Sequence, residues 1–165
     1  GANARADALA HAFDTHVFRA TKVRSGGADV TATELTGFEG EVAGRDVVIV
    51  DDVIDSGGTA IKCASRLKEE GAKRIYLVAA HGALTGDAVI KLYAAKNPVN
   101  QEQRLFERAA VLDTIDPTDK IDHYRRRDPT IRDFYKVISI DYVLKDHIAN
   151  DIGKHKAMNL HHAIA

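Results

Sequence analysis

An α/β fold, a parallel sheet flanked by helices, is the class this 165-residue chain predicts, and three observations carry it. Short apolar runs recur at VVIV (47–50), IYLVAA (75–80), AAVL (109–112) and KVISI (136–140), the pattern of strands buried on both faces. Between them lie stretches whose apolar residues repeat at helical spacing. Strand alternating with helix implies crossover connections and hence parallel neighbours. The length suits one domain, residues 1–165, with a core of its own.

The elements follow in order. Ala6, Leu9, Ala10 and Phe13 give residues 4–13 a helical spacing, and HVFRA after them reads as a short strand. From Lys22 to Asp46 the period dissolves into glycines and threonines, which predicts a flexible loop followed by a small hairpin ending in GEVAGRD. After the strand at 47–50, Ala60, Cys63, Ala64 and Leu67 form one helical stripe, stopped at Gly71. A second stripe, Ala88, Val89, Leu92 and Tyr93, follows the strand at 75–80. HYRRRDPTIRDFY reads as polar and irregular, its three arginines as a solvated insertion in preference to a site for an effector phosphate, and the tail GKHKAMNLHHAIA has no strong period.

Composition narrows the function. Hydrophobic residues at 45% and charged residues at 28% belong to a folding chain, not a disordered one. A formal net charge of −1 gives no bulk attraction to nucleic acid or anionic lipid, so neither is an expected partner and any anion site must be local. The single cysteine, Cys63, excludes an internal disulfide framework and reads as a small core residue. No apolar run approaches the roughly 18 residues that span a bilayer, and a reducing, cytoplasmic setting fits. The histidines of the tail, His155, His161 and His162, lack metal spacing, and no metal ligands are assigned in this chain. The opening, GANARADALAHAF, has neither an initiator methionine nor a signal-peptide layout, which reads as a piece of something longer.

The chemistry concentrates in VVIVDDVIDSGGTAIK, Val47 to Lys62. In open parallel sheets, ligands sit outside the carboxyl ends of the strands, which is where this loop falls. Gly57 and Gly58 allow close backbone approach, Thr59 starts the next helix, and the helix N-terminus favours a phosphate. Ser56 and Thr59 add hydroxyl donors. Asp51, Asp52 and Asp55 would repel a bare phosphate; they suit sugar hydroxyls or a bridging divalent cation. One ligand with an anionic end and a hydroxyl-bearing end, such as a pentose 5-phosphate, satisfies both halves. Neither G-x-x-x-x-G-K-[ST] nor G-x-G-x-x-G is present to offer another nucleotide site. His81 ends its strand on the crevice side, where it serves equally as a ligand contact or as a capped structural histidine.

VVIVDDVIDSGGT resembles the signature of the type I phosphoribosyltransferase fold: an apolar strand, paired acids and a D-[ST]-x-G-T loop. GAKRIYLVAAHGALTGDAVIKL, VLDTIDPTDK and VISIDYVLKDHI are similar to later segments of the phosphoribosyl pyrophosphate synthetases, the ribose-phosphate pyrophosphokinases. The resemblance implies a type I phosphoribosyltransferase-like parallel sheet flanked by helices, forming the C-terminal half of a two-domain enzyme. It implies transfer of the pyrophosphoryl group of ATP to the 1-hydroxyl of ribose 5-phosphate, with Mg²⁺ required and a dimer or hexamer in the whole protein. Lys22 and Arg24 match the family's basic pair on a flexible catalytic loop, closing through Gly26 and Gly27, and by resemblance stabilise the transferring group. Asp51 and Asp52 are implied to face the ribose hydroxyls, and Asp55, Ser56, Gly57, Gly58 and Thr59 to form the 5-phosphate loop. The isolated piece is expected to be inactive without the ATP-binding half. Two other functions share this fold: a non-catalytic regulatory subunit, and a base-specific phosphoribosyltransferase.

Overall fold

β-Branched residues fill the run that becomes the strand preceding the acidic loop, and their stiffness favours the extended backbone seen there. In the computed structural model, residues 2–15, 17, 23–24, 33–34 and 42–139 are described. A helix α1 (Ala2–Phe13) opens the chain, and a two-stranded antiparallel ladder joins β1 (Val23–Arg24) to β2 (Thr33–Glu34). The main sheet follows: β3 (Asp46–Val53), α2 (Gly58–Glu69), β4 (Arg74–His81), α3 (Ala88–Ala94), β5 (Arg108–Leu112), α4 (Thr118–Arg125), α5 (Ile131–Phe134) and β6 (Tyr135–Ile138).

The four strands lie in the order β3-β4-β5-β6, every pair parallel. Register runs Val47 with Ile75, Leu77 with Ala109, and Val111 with Val137. Residues in register on parallel neighbours share a face. Ile75, Leu77 and Ala79 of β4, Ala109 and Val111 of β5 and Tyr135 of β6 are buried on one face, in a single core with Ala60, Ala64 and Leu67 of α2 and Leu92 of α3. Ile121 of α4 and Ile131 and Phe134 of α5 complete it. The opposite face is more open: Val48 is 52% exposed, and Val50, Val78, Ala80, Ala110 and Leu112 line a shallow apolar hollow. Helix α1 packs against β3.

The expected strands and helices are where the apolar runs and stripes put them, with β3 and β4 extended by a few residues at their ends. The stripe from Ala60 ends as anticipated: Gly71 takes a φ of 90°, and the chain turns back so that its carbonyl accepts from Gly44 N–H at 2.8 Å. HYRRRDPTIRDFY, by contrast, is not irregular. It contains the end of α4, all of α5 and the start of β6. Ile131, Phe134 and Tyr135 are buried, so one short cluster of anchors suffices where a longer stripe is usual. Arg125 is held there by Asp122 at 2.9 Å, while Arg126 and Arg127 are exposed. The strand expected at HVFRA, most of the 22–46 loop, and the tail lie outside the described residues.

Candidate functional site

Three loops meet at the carboxyl ends of β3, β4 and β5. The first, Ile54 to Gly57, is stitched to the second along the backbone: Ile54 N–H donates to His81 C=O at 2.9 Å, Leu84 N–H to Ile54 C=O at 2.9 Å, and Thr85 N–H to Asp55 C=O at 3.1 Å. The Thr85 hydroxyl adds a 2.6 Å bond to the Asp55 carboxylate. Leu84 sits at φ 42°, a left-handed conformation unusual for a leucine, and is 1% exposed. Its burial in the core and the flanking hydrogen bonds hold it there against local preference. The third loop is tied on by Thr114, whose hydroxyl meets His81 Nδ1 at 2.6 Å, and by Lys120, whose ammonium donates to Ala83 C=O.

Asp51 and Asp52 stand near the end of β3, just before its last residue, Val53. Alternation sends their side chains to opposite faces of the sheet. Asp51, in register with Ala79, faces the helices, and its negative charge reaches Cys63 on α2. Burial, and then that charge, push the Cys63 thiol up to about 11, which keeps it protonated and inert at neutral pH. Asp51 also accepts the Asp52 N–H at 2.8 Å, an arrangement that fixes its carboxylate against its own strand. Asp52 continues the face of Val48 and Val50. The pair therefore brackets the sheet edge, one carboxylate on each side.

Gly57 turns the chain from loop to helix at φ 76° and ψ −3°. A Cβ built there would lie 2.8 Å from Leu92 Cγ of α3, so both conformation and space demand glycine. Gly58 is different: a Cβ there would find nothing nearer than Ser56 Oγ at 3.7 Å. Since Gly57 is the N-cap and has no side chain, no side chain caps the first turn of α2. The early N–H groups of a helix carry the positive end of its dipole and require an outside acceptor. Ser56 and Thr59 are exposed beside them, and Asp55 is exposed with its carboxylate turned to Thr85.

Asp51, Asp52, Asp55, Ser56, Gly57, Gly58 and Thr59 are thus brought to one edge. Lys22 lies outside the described residues, and Arg24 is placed only as the last residue of β1, opposite Thr33. Thr85 and Thr114 lie in segments that the family resemblance marks, HGALTG and VLDTIDPTDK, but were given no role from the sequence; the placement of ligands at the carboxyl ends of parallel strands is the clue that points to their loops. Among the described residues no three His, Cys, Asp or Glu side chains converge as a metal cage, and no helix is long and apolar enough to cross a membrane.

The family described as phosphoribosyl synthetase-associated domain matches residues 32–102, which take in the whole of this edge from β3 to α3. A ribose-phosphate pyrophosphokinase of Vibrio vulnificus (strain YJ016) is 44% identical over 89 residues, covering 54% of this chain and 24% of that protein. One from Buchnera aphidicola subsp. Acyrthosiphon pisum is 38% identical over 90 residues, covering 54% of this chain and 26% of that protein. The solved phosphoribosylpyrophosphate synthetase of Mycobacterium smegmatis superposes with a TM-score of 0.48 at 27% identity, over 68% of this chain and 32% of that one. The chain spans about a quarter of the length of the curated relatives it matches.

Proposed function

We propose that this chain, a homologue of the ribose-phosphate pyrophosphokinases over its matched residues, binds ribose 5-phosphate at the β3–α2 loop. It would serve as the sugar-phosphate half of an enzyme that moves the pyrophosphoryl group of ATP onto the 1-hydroxyl of that sugar. The observation that carries the reading is the uncapped first turn of α2 directly behind a left-handed glycine, with carboxylates a few residues upstream. Backbone N–H groups there take the 5-phosphate, and Ser56 and Thr59 add hydroxyl donors. Asp51 and Asp52 receive sugar hydroxyls from either side of the edge. Thr85 holds Asp55, and with it the loop, in position.

In a pyrophosphoryl transfer the charge develops on phosphoryl oxygens, so positioned cations carry most of the catalysis. Lys22 and Arg24 are assigned that role. Mg²⁺ commonly takes one or two carboxylates and completes its octahedron with water and substrate oxygens, so with Asp51 and Asp52 on opposite faces it would be held by one of them together with substrate oxygens. Bound in this way it would neutralise charge on the phosphates. The setting proposed is cytoplasmic.

Calorimetry of the 165-residue chain with ribose 5-phosphate and magnesium tests the binding half of this reading. Binding is expected, with none for ribose alone and loss on Asp55→Ala. A chain that gives no heat and no rise in melting temperature at millimolar ribose 5-phosphate is not a sugar-phosphate binder. AMP release by the full-length protein tests the transfer.

A further inference from the structure

We infer that His81 is a ligand-binding residue of this site, its ring held by Thr114 in the one tautomer that offers Nε2 to a sugar hydroxyl. The inference rests on the ribose 5-phosphate reading above. A threonine hydroxyl has one proton, and that of Thr114 is committed to the carbonyl of Ala80 at 2.8 Å. The 2.6 Å contact from the same oxygen to His81 Nδ1 therefore needs the proton on the ring, so Nδ1 donates and the neutral imidazole keeps its lone pair on Nε2. The chain of atoms runs Nδ1–H to Oγ1–H to C=O without ambiguity.

Nε2, at the far end of the ring from the backbone, has no hydrogen-bond partner among the described residues, and it is not one of the buried, unsatisfied atoms. It is open to solvent. The ring also stands in the right place. His81 is in register with Val53 and belongs to the face of Ala79 and Asp51, so imidazole and carboxylate rise from adjacent strands on the helix side of the edge. Adjacent strands lie about 4.8 Å apart and two residues along a strand add about 6.6 Å, a span that one pentose ring bridges. An acceptor nitrogen and an acceptor carboxylate at that spacing suit a ligand that brings one proton donor to each, which two hydroxyls of one sugar do and phosphoryl oxygens do not. Thr114 is then a positioning residue, acting through His81.

Nitrogen-15 NMR of the full chain reads the tautomer directly, and calorimetry reads the contact. The Nδ1–H form should dominate in the unaltered protein. Ribose 5-phosphate binding should fall about tenfold in His81→Ala, the loss of one hydrogen bond left without a partner. That loss should vanish against one of 2-deoxyribose 5-phosphate and 3-deoxyribose 5-phosphate, whichever lacks the contacted hydroxyl. Thr114→Val should shift the tautomer and weaken binding, and Thr114→Ser should restore both. An Nε2–H ring in the unaltered protein overturns the inference, as does an equal loss for ribose 5-phosphate and both deoxy sugars. A histidine that only ties loops together would lower the melting temperature of His81→Ala without any dependence on sugar hydroxyls. If the unaltered chain does not bind ribose 5-phosphate, the functional reading fails and this inference falls with it; binding that His81→Ala leaves unchanged removes this inference alone.

Discussion

Two neighbouring glycines in the loop do different work, and the difference separates folding from binding. At Gly57 an alanine meets both the left-handed conformation and the Leu92 side chain, which together should cost about 3 kcal/mol of stability. At Gly58 an alanine has room in the free protein and sits at a helix start, so its stability should be unchanged or slightly raised. Its methyl would nevertheless stand where a phosphate approaches the backbone, and affinity for ribose 5-phosphate should drop at least tenfold. Urea melts and calorimetry on the two variants check this; equal affinity in Gly58→Ala and the unaltered chain would place the phosphate elsewhere. The sequence marked both glycines alike, because a motif shows residue type and not which neighbour, here a leucine of another helix, crowds it.

Among the elements, the 81–87 loop acts as a brace for the 54–57 loop. Three backbone bonds and the Thr85 hydroxyl join them, and Leu84 is kept in an unfavourable conformation by the same contacts. Thr85→Val removes only the hydroxyl. It should cost about 1 kcal/mol, a modest value because the bond is exposed, and should speed hydrogen exchange at the amides of Leu84 and Thr85 more than elsewhere. Uniform exchange rates across the variant would mean the brace is carried by the backbone bonds alone. The four strands, α2 and α3 were legible because continuous apolar runs and stripes are dense signals. Helices α4 and α5 were not, since Ile121, Ile131 and Phe134 are isolated among charged residues and only the tertiary core reveals that each is buried. Within the site, the glycine-rich loop and its acids were readable from type and spacing. The separation of Asp51 from Asp52 to opposite faces follows from strand alternation, and it became visible only once β3 was known to continue through both.

At the scale of the whole molecule, acid should weaken the fold through carboxylates outside the β3–α2 loop. The Arg74 guanidinium bonded to Asp46 lowers that carboxyl below its ordinary range. Thr118 does so for Asp116, and Thr130, with smaller help from Tyr93 and Arg104, for Asp128. In each case the folded state holds the proton less tightly than the unfolded chain, so the stabilisation is complete above the ordinary carboxylate value near pH 4 and is lost as pH falls through the lowered ones. Urea midpoints should be level toward neutrality and decline below about pH 4. Asp128→Asn should make that decline shallower, and a midpoint that rises on acidification would contradict the assignment. The strand order β3-β4-β5-β6 has its own consequence for how such a molecule comes into being. Among these four described strands, none waits for a partner beyond the next one; each pairs with its predecessor across a single helical crossover. Assembly can therefore keep pace with the ribosome, adding one strand and its crossover at a time and leaving little unpaired backbone open to aggregation along the way.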